Sequence, residues 1–335
     1  MFGSARLGWS SLVSLSSQKQ FHADWGHLQD RHVRALAWLL TSPHLLQPHA
    51  TMWPGTVVTP SLSSAAELRS FLTQLDQDPS LLHAALQRHP TKRLGLYAEH
   101  LLAYFFSAFY DVYAHGLQVH DEKARTIGEF DFLLRSQDGL AHWELATKFY
   151  LLFDDPMNPR GALDLYDFLG PNLADTLGAK MHKIIGQQLR LSAHPNAVSA
   201  LDHPVTSVQA LVKGWLFYRD PTMYANDALV EGIARDHCRG YIWTESEIRQ
   251  MDDFSAVILD RLMWLAPARV ALNDVRGKQA TLAQIDVLFG AIHSPVMLAL
   301  LDVDGEYATE VVRGMVVPDD WWSQAAMARG RLKPA

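Results

Sequence analysis

Two short runs constrain this chain more than any others. One is residues 128–134: Gly128, Glu129, Phe130, Asp131, Phe132, Leu133 and Leu134. The other is residues 142–150, from His142 and Trp143 through Glu144 and Lys148 to Tyr150. Ser136, Gln137, Asp138 and Gly139 lie between them and form turns readily, so the pair predicts a β-hairpin. Side chains on a strand repeat faces every two residues. Glu129 and Asp131 are therefore expected on one face, with Leu133, and Phe130, Phe132 and Leu134 on the other. Glu144, Ala146 and Lys148 likewise share a face. Carboxylates on a sheet rich in Phe, Leu and Trp are costly to bury unless a cation offsets them. A divalent metal, which takes hard oxygen ligands, is the simplest such cation.

The rest of the chain predicts a mixed α+β (α/β) fold, a central mixed β-sheet flanked by helices. Apolar spacing predicts helices over Asp24 to Leu46, Ser63 to Leu75, Pro79 to Arg88 and Leu94 to Tyr113. A first strand is expected at Gly116 to His120, ahead of the acidic hairpin. Pro171 opens a helix to about Leu191 that carries Lys180, Lys183, Gln187 and Gln188. Strands follow at Ala210 to Tyr218 and Arg239 to Trp243, with a helix over Ala225 to Asp236 between them. Asp302, Val303, Asp304 and Gly305 read as the turn of a second hairpin, Val296 to Leu301 with Tyr307 to Val317. Trp321 and Trp322 begin a short terminal helix or tail. The expected organisation is a disordered tail at 1–22, a helical segment at 23–90, a core at 91–220 and a C-terminal α/β extension at 221–335 packed on that core.

The order of a helical Glu, then Gly-Glu-x-Asp, then Glu followed by Lys resembles the PD-(D/E)XK nuclease superfamily, over Arg93 to about Gln188. The whole chain also resembles a bacterial domain-of-unknown-function family, number 1853. That likeness rests on the Trp143 to Tyr150 run, the Leu169 to Asn172 stretch and the Val316 to Trp321 stretch. The first resemblance implies a nuclease-like core and a magnesium-dependent phosphodiesterase acting on DNA or RNA, with manganese as a substitute. It implies that Asp131 and Glu144 bind metal, with the backbone carbonyl of Leu145 as a further ligand, and that Lys148 assists the attacking water. Glu99 reads either as a member of the metal shell or as a solvated helix carboxylate favoured by the helix dipole. Gln187, with Lys180 next, is the expected contribution of the following helix; an ordinary polar helix face is the plainer reading.

The chain departs from the superfamily pattern at one point. The lysine normally stands two residues after the Glu, and position 146 is Ala. Lys148 keeps the correct face but starts about 13 Å from Glu144 at ~3.3 Å per residue. Lys180 or Lys183 is an alternative source of the charge. A catalytically inactive scaffold that binds nucleic acid or a protein partner is the alternative function, and a purely structural ion-pair cluster with Lys148 is a third reading. His142 shares Glu144's face and reads as a surface or edge histidine.

A net charge of −7 argues against a surface that grips nucleic acid everywhere, but leaves room for a local basic cleft. Lys92, Arg93, Lys123, Arg125, Arg135 and Arg160 are the basic residues nearest the hairpin in sequence. The one cysteine, Cys238, cannot form an internal disulfide, which fits a reducing cytoplasm. No apolar run approaches the roughly 20 residues that span a bilayer. A Gly-x-Ser-x-Gly elbow, a phosphate-binding Gly-x-x-x-x-Gly-Lys loop and a His-Glu-x-x-His helix are all missing from the sequence.

Overall fold

Eleven strands join into one mixed sheet in the computed structural model, which describes residues 16–60, 64–154, 163–222, 230–291 and 294–332. Helices α1 (Ser16–Trp25), α2 (Arg31–Thr41), α3 (Ala65–Gln77), α4 (Ser80–Arg88) and α5 (Leu94–Phe109) come first. Strands β1 (Val112–His120), β2 (Thr126–Ser136), β3 (Gly139–Leu152) and the short β4 (Phe168–Leu169) follow. Then come α6 (Leu177–Lys183), α7 (Pro195–Ala200), β5 (Val205–Tyr218), β6 (Cys238–Thr244), α8 (Glu245–Gln250), β7 (Ser255–Ile258), β8 (Arg269–Ala271) and β9 (Arg276–Gly277). Helix α9 (Lys278–Ala291), strands β10 (Val296–Asp304) and β11 (Tyr307–Val317), and α10 (Trp321–Leu332) complete the chain. The strand order is β1-β2-β3-β5-β6-β11-β10-β7-β9, with β4 added to β3 and β8 to β11. Strands β3, β5, β6 and β11 run parallel to one another, and antiparallel strands flank them on both sides.

Alternation along the central strands sorts the core into two layers. Trp143, Phe149 and Leu151 of β3 and Leu211, Trp215 and Phe217 of β5 pack against α1 to α5. Ala146, Tyr150 and Leu152 with Ala210, Val212 and Leu216 pack against α6 and the loop around Leu46. The first layer also takes Met297, Met315 and Trp321, so the N-terminal helices and the C-terminal strands share one apolar core. Arg34, buried on α2, reinforces this by donating to the carbonyls of Trp25, Leu28 and Pro267.

Several local expectations give way to tertiary contacts. The helix predicted over Asp24 to Leu46 is broken after Trp25, because Asp30 caps a new helix by accepting from the N–H groups of His32 and Val33. Residues 16–22, expected in a disordered tail, form the start of α1; Phe21 is buried and His22 Nε2 lies 3.0 Å from the carbonyl of Glu310. Residues 1–15 lie outside the described residues. Helix α5 stops at Phe109 rather than Tyr113, since Val112 already pairs with Leu134 in the sheet. The helix predicted over Ala225 to Asp236 lies partly outside the described residues, and residues 230–236 within it are turns and bends. The Pro171 to Leu191 helix begins only at Leu177, with Thr176 as its cap, and changes at Ile184 to a π-turn through Gln188 and then to a 3₁₀ turn.

One buried cation in this core is titratable at moderate pH. Lys213 on β5 has no exposed surface, and its ammonium donates to the carbonyl of Ser42, the C-cap of α2, at 2.5 Å. Burial pushes it down from 10.5 to about 8. Between these values the unfolded chain binds more protons, so this group's contribution makes stability rise with pH. Lys213→Met keeps the stem and removes the ammonium. Relative to the parent it is expected to lose on the order of 2–3 kcal/mol of that rise between pH 8 and 10.5, measured as the difference between denaturant-unfolding free energies of the two proteins across the window.

Candidate active site

The site is set by where β2 leaves β3. The two strands pair from Ser136 opposite Gly139 to Phe132 opposite Trp143, and there the ladder ends. At the next position the Asp131 carboxylate takes the place of a backbone partner: its Oδ2 accepts from the Leu145 N–H at 2.8 Å. On its other edge β3 stays paired with β5 as far as Leu151. Its β2-side edge gains no strand until β4 pairs at Leu151. The stretch between Trp143 and Leu151 is thus an open edge in the middle of a large sheet.

Strand β1 carries a glycine across from this opening. In the β1–β2 ladder His115 faces Phe132 and Leu117 faces Phe130, leaving Gly116 across from Asp131. Gly116 has φ +65°, a left-handed conformation that glycine adopts without strain. Phe130 and Phe132, expected on one face, separate here. Phe132 stacks on His115 and meets Phe106 of α5, whereas Phe130 meets His142 edge-on and packs with Leu191. Strict alternation thus fails between Phe130 and Phe132, on either side of Asp131.

Glu144 is 1% exposed and both its oxygens are engaged. His142 Nε2 lies 2.8 Å from Oε1, and Gln188 Nε2 donates to Oε2 at 2.5 Å. Burial pushes both carboxyls well above the usual carboxylate range, and Glu144 raises Asp131 further by repulsion. Glu99 and Glu129 add to the negative potential at both. Glu99 is held by His115 Nε2 at 2.8 Å, and Glu129 accepts from Gln118. Among the described residues no Lys or Arg forms an ion pair with any of these four acids. His142 supplies no charge, since burial lowers it to about 4. Among the described residues, no three His, Cys, Asp or Glu side chains converge closely enough to hold a metal ion by themselves.

Lys148 lies beyond, on the open edge. It lines a cavity of about 380 Å³ with Lys92 and Arg93 at the start of α5, Lys180 of α6, and Arg261. Its ammonium makes no hydrogen bond or ion pair among the described residues, and loss of hydration lowers it to about 8. The structure therefore gathers Asp131, Glu144, Leu145 and Glu99 on one side, with Lys148 adjoining. Gln187 is exposed, and Gln188 takes its place against Glu144, because the π-turn from Ile184 rotates the helix by part of a turn. His142 is not a surface histidine: it is fully buried against Glu144. Its place on Glu144's face was the available signal. Among the other basic residues, Arg125 pairs with Asp121 and Arg135 with Asp111, away from the cavity. Lys123 is exposed, and Arg160 lies outside the described residues.

No helix among the described residues is long and apolar enough to cross a membrane. No curated protein and no solved structure matches the chain. The family described as "Domain of unknown function (DUF1853)" matches residues 34–317, a span that runs from α2 to the end of β11 and contains the whole acidic cluster and the basic cavity. The chain belongs to the DUF1853 family.

Proposed function

We propose that this protein is a metal-dependent phosphodiesterase of nuclease type, acting on DNA or RNA with magnesium, or manganese in its place. The observation that carries this reading is the pair of Glu144, which is buried, and Asp131, which is partly buried, with no basic partner among the described residues, on an open strand edge beside Lys148, which has no partner among them either. The order of α5 with Glu99, the antiparallel strands β1, β2 and β3 with Asp131 and Glu144, and later β5 parallel to β3 supports it, because it keeps the helical Glu, the Gly-Glu-x-Asp strand and the Glu strand in the succession on which the PD-(D/E)XK resemblance rests.

The donor set suits a hard divalent cation. Asp131 and Glu144 offer carboxylate oxygen, each with lone pairs beyond those already in use. The carbonyl of Leu145 projects to the same edge as its N–H, since the two point to one side of a strand. Glu99, turned by His115, is the nearest further acid. With two carboxylates from β2 and β3, water and substrate would fill the remaining positions, as magnesium favours. Bound there, the ion supplies an acidified water and polarises a phosphate oxygen. The chain's own residues orient these parts. Gln188 and His142 fix the Glu144 carboxylate by a hydrogen bond to each oxygen, and Asp131 is fixed by the Leu145 N–H. Lys148 offers an unpaired ammonium to the negative charge that develops on the phosphate. The four-residue spacing from Glu144 favours a second reading, in which the same site binds nucleic acid without cutting it.

Asp131→Asn and Glu144→Gln are expected to lower magnesium-dependent cleavage of labelled oligonucleotides by on the order of 100-fold or more, and to abolish magnesium uptake in calorimetry. Parental cleavage rates in both variants would remove these residues from the mechanism. Salt-sensitive binding with no cleavage at any metal concentration would favour the second reading. In chelator, Asp131→Asn replaces a repelled carboxylate by an amide that still accepts from Leu145. It is expected to melt about 1–3 °C above the parent, and a lower melting temperature would show that the acids are not in conflict. Lys148→Gln should reduce turnover while leaving magnesium affinity unchanged, which separates a charge acting on the phosphate from one acting on the metal site.

A further inference from the structure

The geometry points to the cavity beside Lys148 as a seat for a phosphate monoester at the end of a nucleic-acid strand. Five cations, Lys92, Arg93, Lys148, Lys180 and Arg261, face one carboxylate, Asp175. That acid is already committed, lying 3.4 Å from Lys180 and accepting from the Tyr150 hydroxyl. Lys92, Arg93, Lys148 and Arg261 have no carboxylate partner among the described residues. Cations clustered without counter-charge in a concavity, on a chain whose net charge is −7, mark a place where an anion belongs.

Backbone groups add to the case. Helix α5 starts at this cavity, and its N-cap Arg93 makes no side-chain cap, so the first-turn N–H groups stay unsatisfied at the positive end of the helix dipole. Gly95, in that first turn, has open space where a Cβ would stand, which leaves the amides accessible to an oxyanion. Lys148, on the open edge of β3, lines the same cavity.

Charge and extent favour a chain end over an internal phosphate. A monoester carries close to two negative charges near neutral pH, and the excess of cations suits it better than a singly charged diester. A volume of 380 Å³ is at the small end of the ~300–1,000 Å³ usual for ligand sites. It takes a terminal group, not a run of backbone. Of the arginines along the hairpin, Arg125 and Arg135 are paired with Asp121 and Asp111, so among the described residues they form no continuous basic track from it. The phosphate seat is argued from the cavity; only the identity of the polymer rests on the phosphodiesterase reading above.

The test is fluorescence polarisation in chelator with three versions of one single-stranded oligonucleotide: 5′-phosphorylated, 3′-phosphorylated, and hydroxyl at both ends. The parent is expected to bind one phosphorylated form at least about tenfold more tightly than the hydroxyl form, and the preferred end assigns the polarity. Lys92→Gln combined with Arg93→Gln should equalise the three forms. Both residues are exposed, so the fold should survive, and Arg261→Gln provides an independent check from another wall. Equal binding of all three forms by the parent overturns the proposal, and so does a preference that survives both sets of substitutions. A parent that selects phosphorylated ends but never cleaves with magnesium retains the seat and loses the hydrolase reading. One that cleaves with no preference for end chemistry does the reverse.

Discussion

A single hydrogen bond, from the Leu145 N–H to the Asp131 carboxylate, stands where the β2–β3 ladder would otherwise continue. Sheets close their ladders because an unpaired backbone amide away from water is costly. Here a side chain satisfies the first amide past the break, so the strands can part. The parting creates the open edge of β3, brings Asp131 against Glu144, and leaves room for the cavity between α5 and α6. Gly116, in a left-handed conformation on the neighbouring strand, stands across from Asp131 with β1–β2 pairing continued on either side.

Other buried charges among the described residues are compensated in a way that those of this region are not. Arg34 spends its donors on three carbonyls, and Lys213 caps α2 through the carbonyl of Ser42. Arg313 is fully satisfied by Glu310 and by the carbonyls of Trp264 and Ala266. Each of these ions is buried with partners that repay part of its desolvation. Glu144 is buried and Asp131 partly buried, with Glu99 and Glu129 adding negative potential at both, and Lys148 has no acceptor among the described residues. A fold that compensates its charges elsewhere has left two opposite deficits side by side on one strand. The proposed site for a metal and a phosphate rests on these two deficits, an acidic cluster for the cation and a basic cavity for the anion.

The supporting groups around Glu144 are all donors or neutral. Gln188 and the uncharged ring of His142 hold the carboxylate in place without cancelling its charge, which an Arg or Lys in the same position would do. The potential of the cluster is thereby kept for whatever binds it. The same logic places Asp175 between Lys180 and Tyr150, where it anchors one wall of the cavity and leaves the remaining cations free.

Much of this was legible in the residues themselves. The two-residue period put Glu144 and Lys148 on one face of β3, the turn formers at Ser136 to Gly139 and at Gly305 marked both hairpins, and the expected mixed sheet with flanking helices is the observed one. These features depend on neighbours a few positions apart, and local sterics and turn chemistry decide them. What the chain order does not encode is contact between distant segments. Gln188, not Gln187, meets Glu144 because the helix loosens into a π-turn. His142 is sealed in because Phe130 packs edge-on against its ring, away from the cluster that Phe132 joins. Lys92, Arg93 and Arg261 join Lys148 only because α5 and the segment after β7 fold back over the open edge. The acids were evident from sequence because they sit on one hairpin; the basic cavity opposite them was not, because its walls come from four separated stretches of chain that only packing brings together.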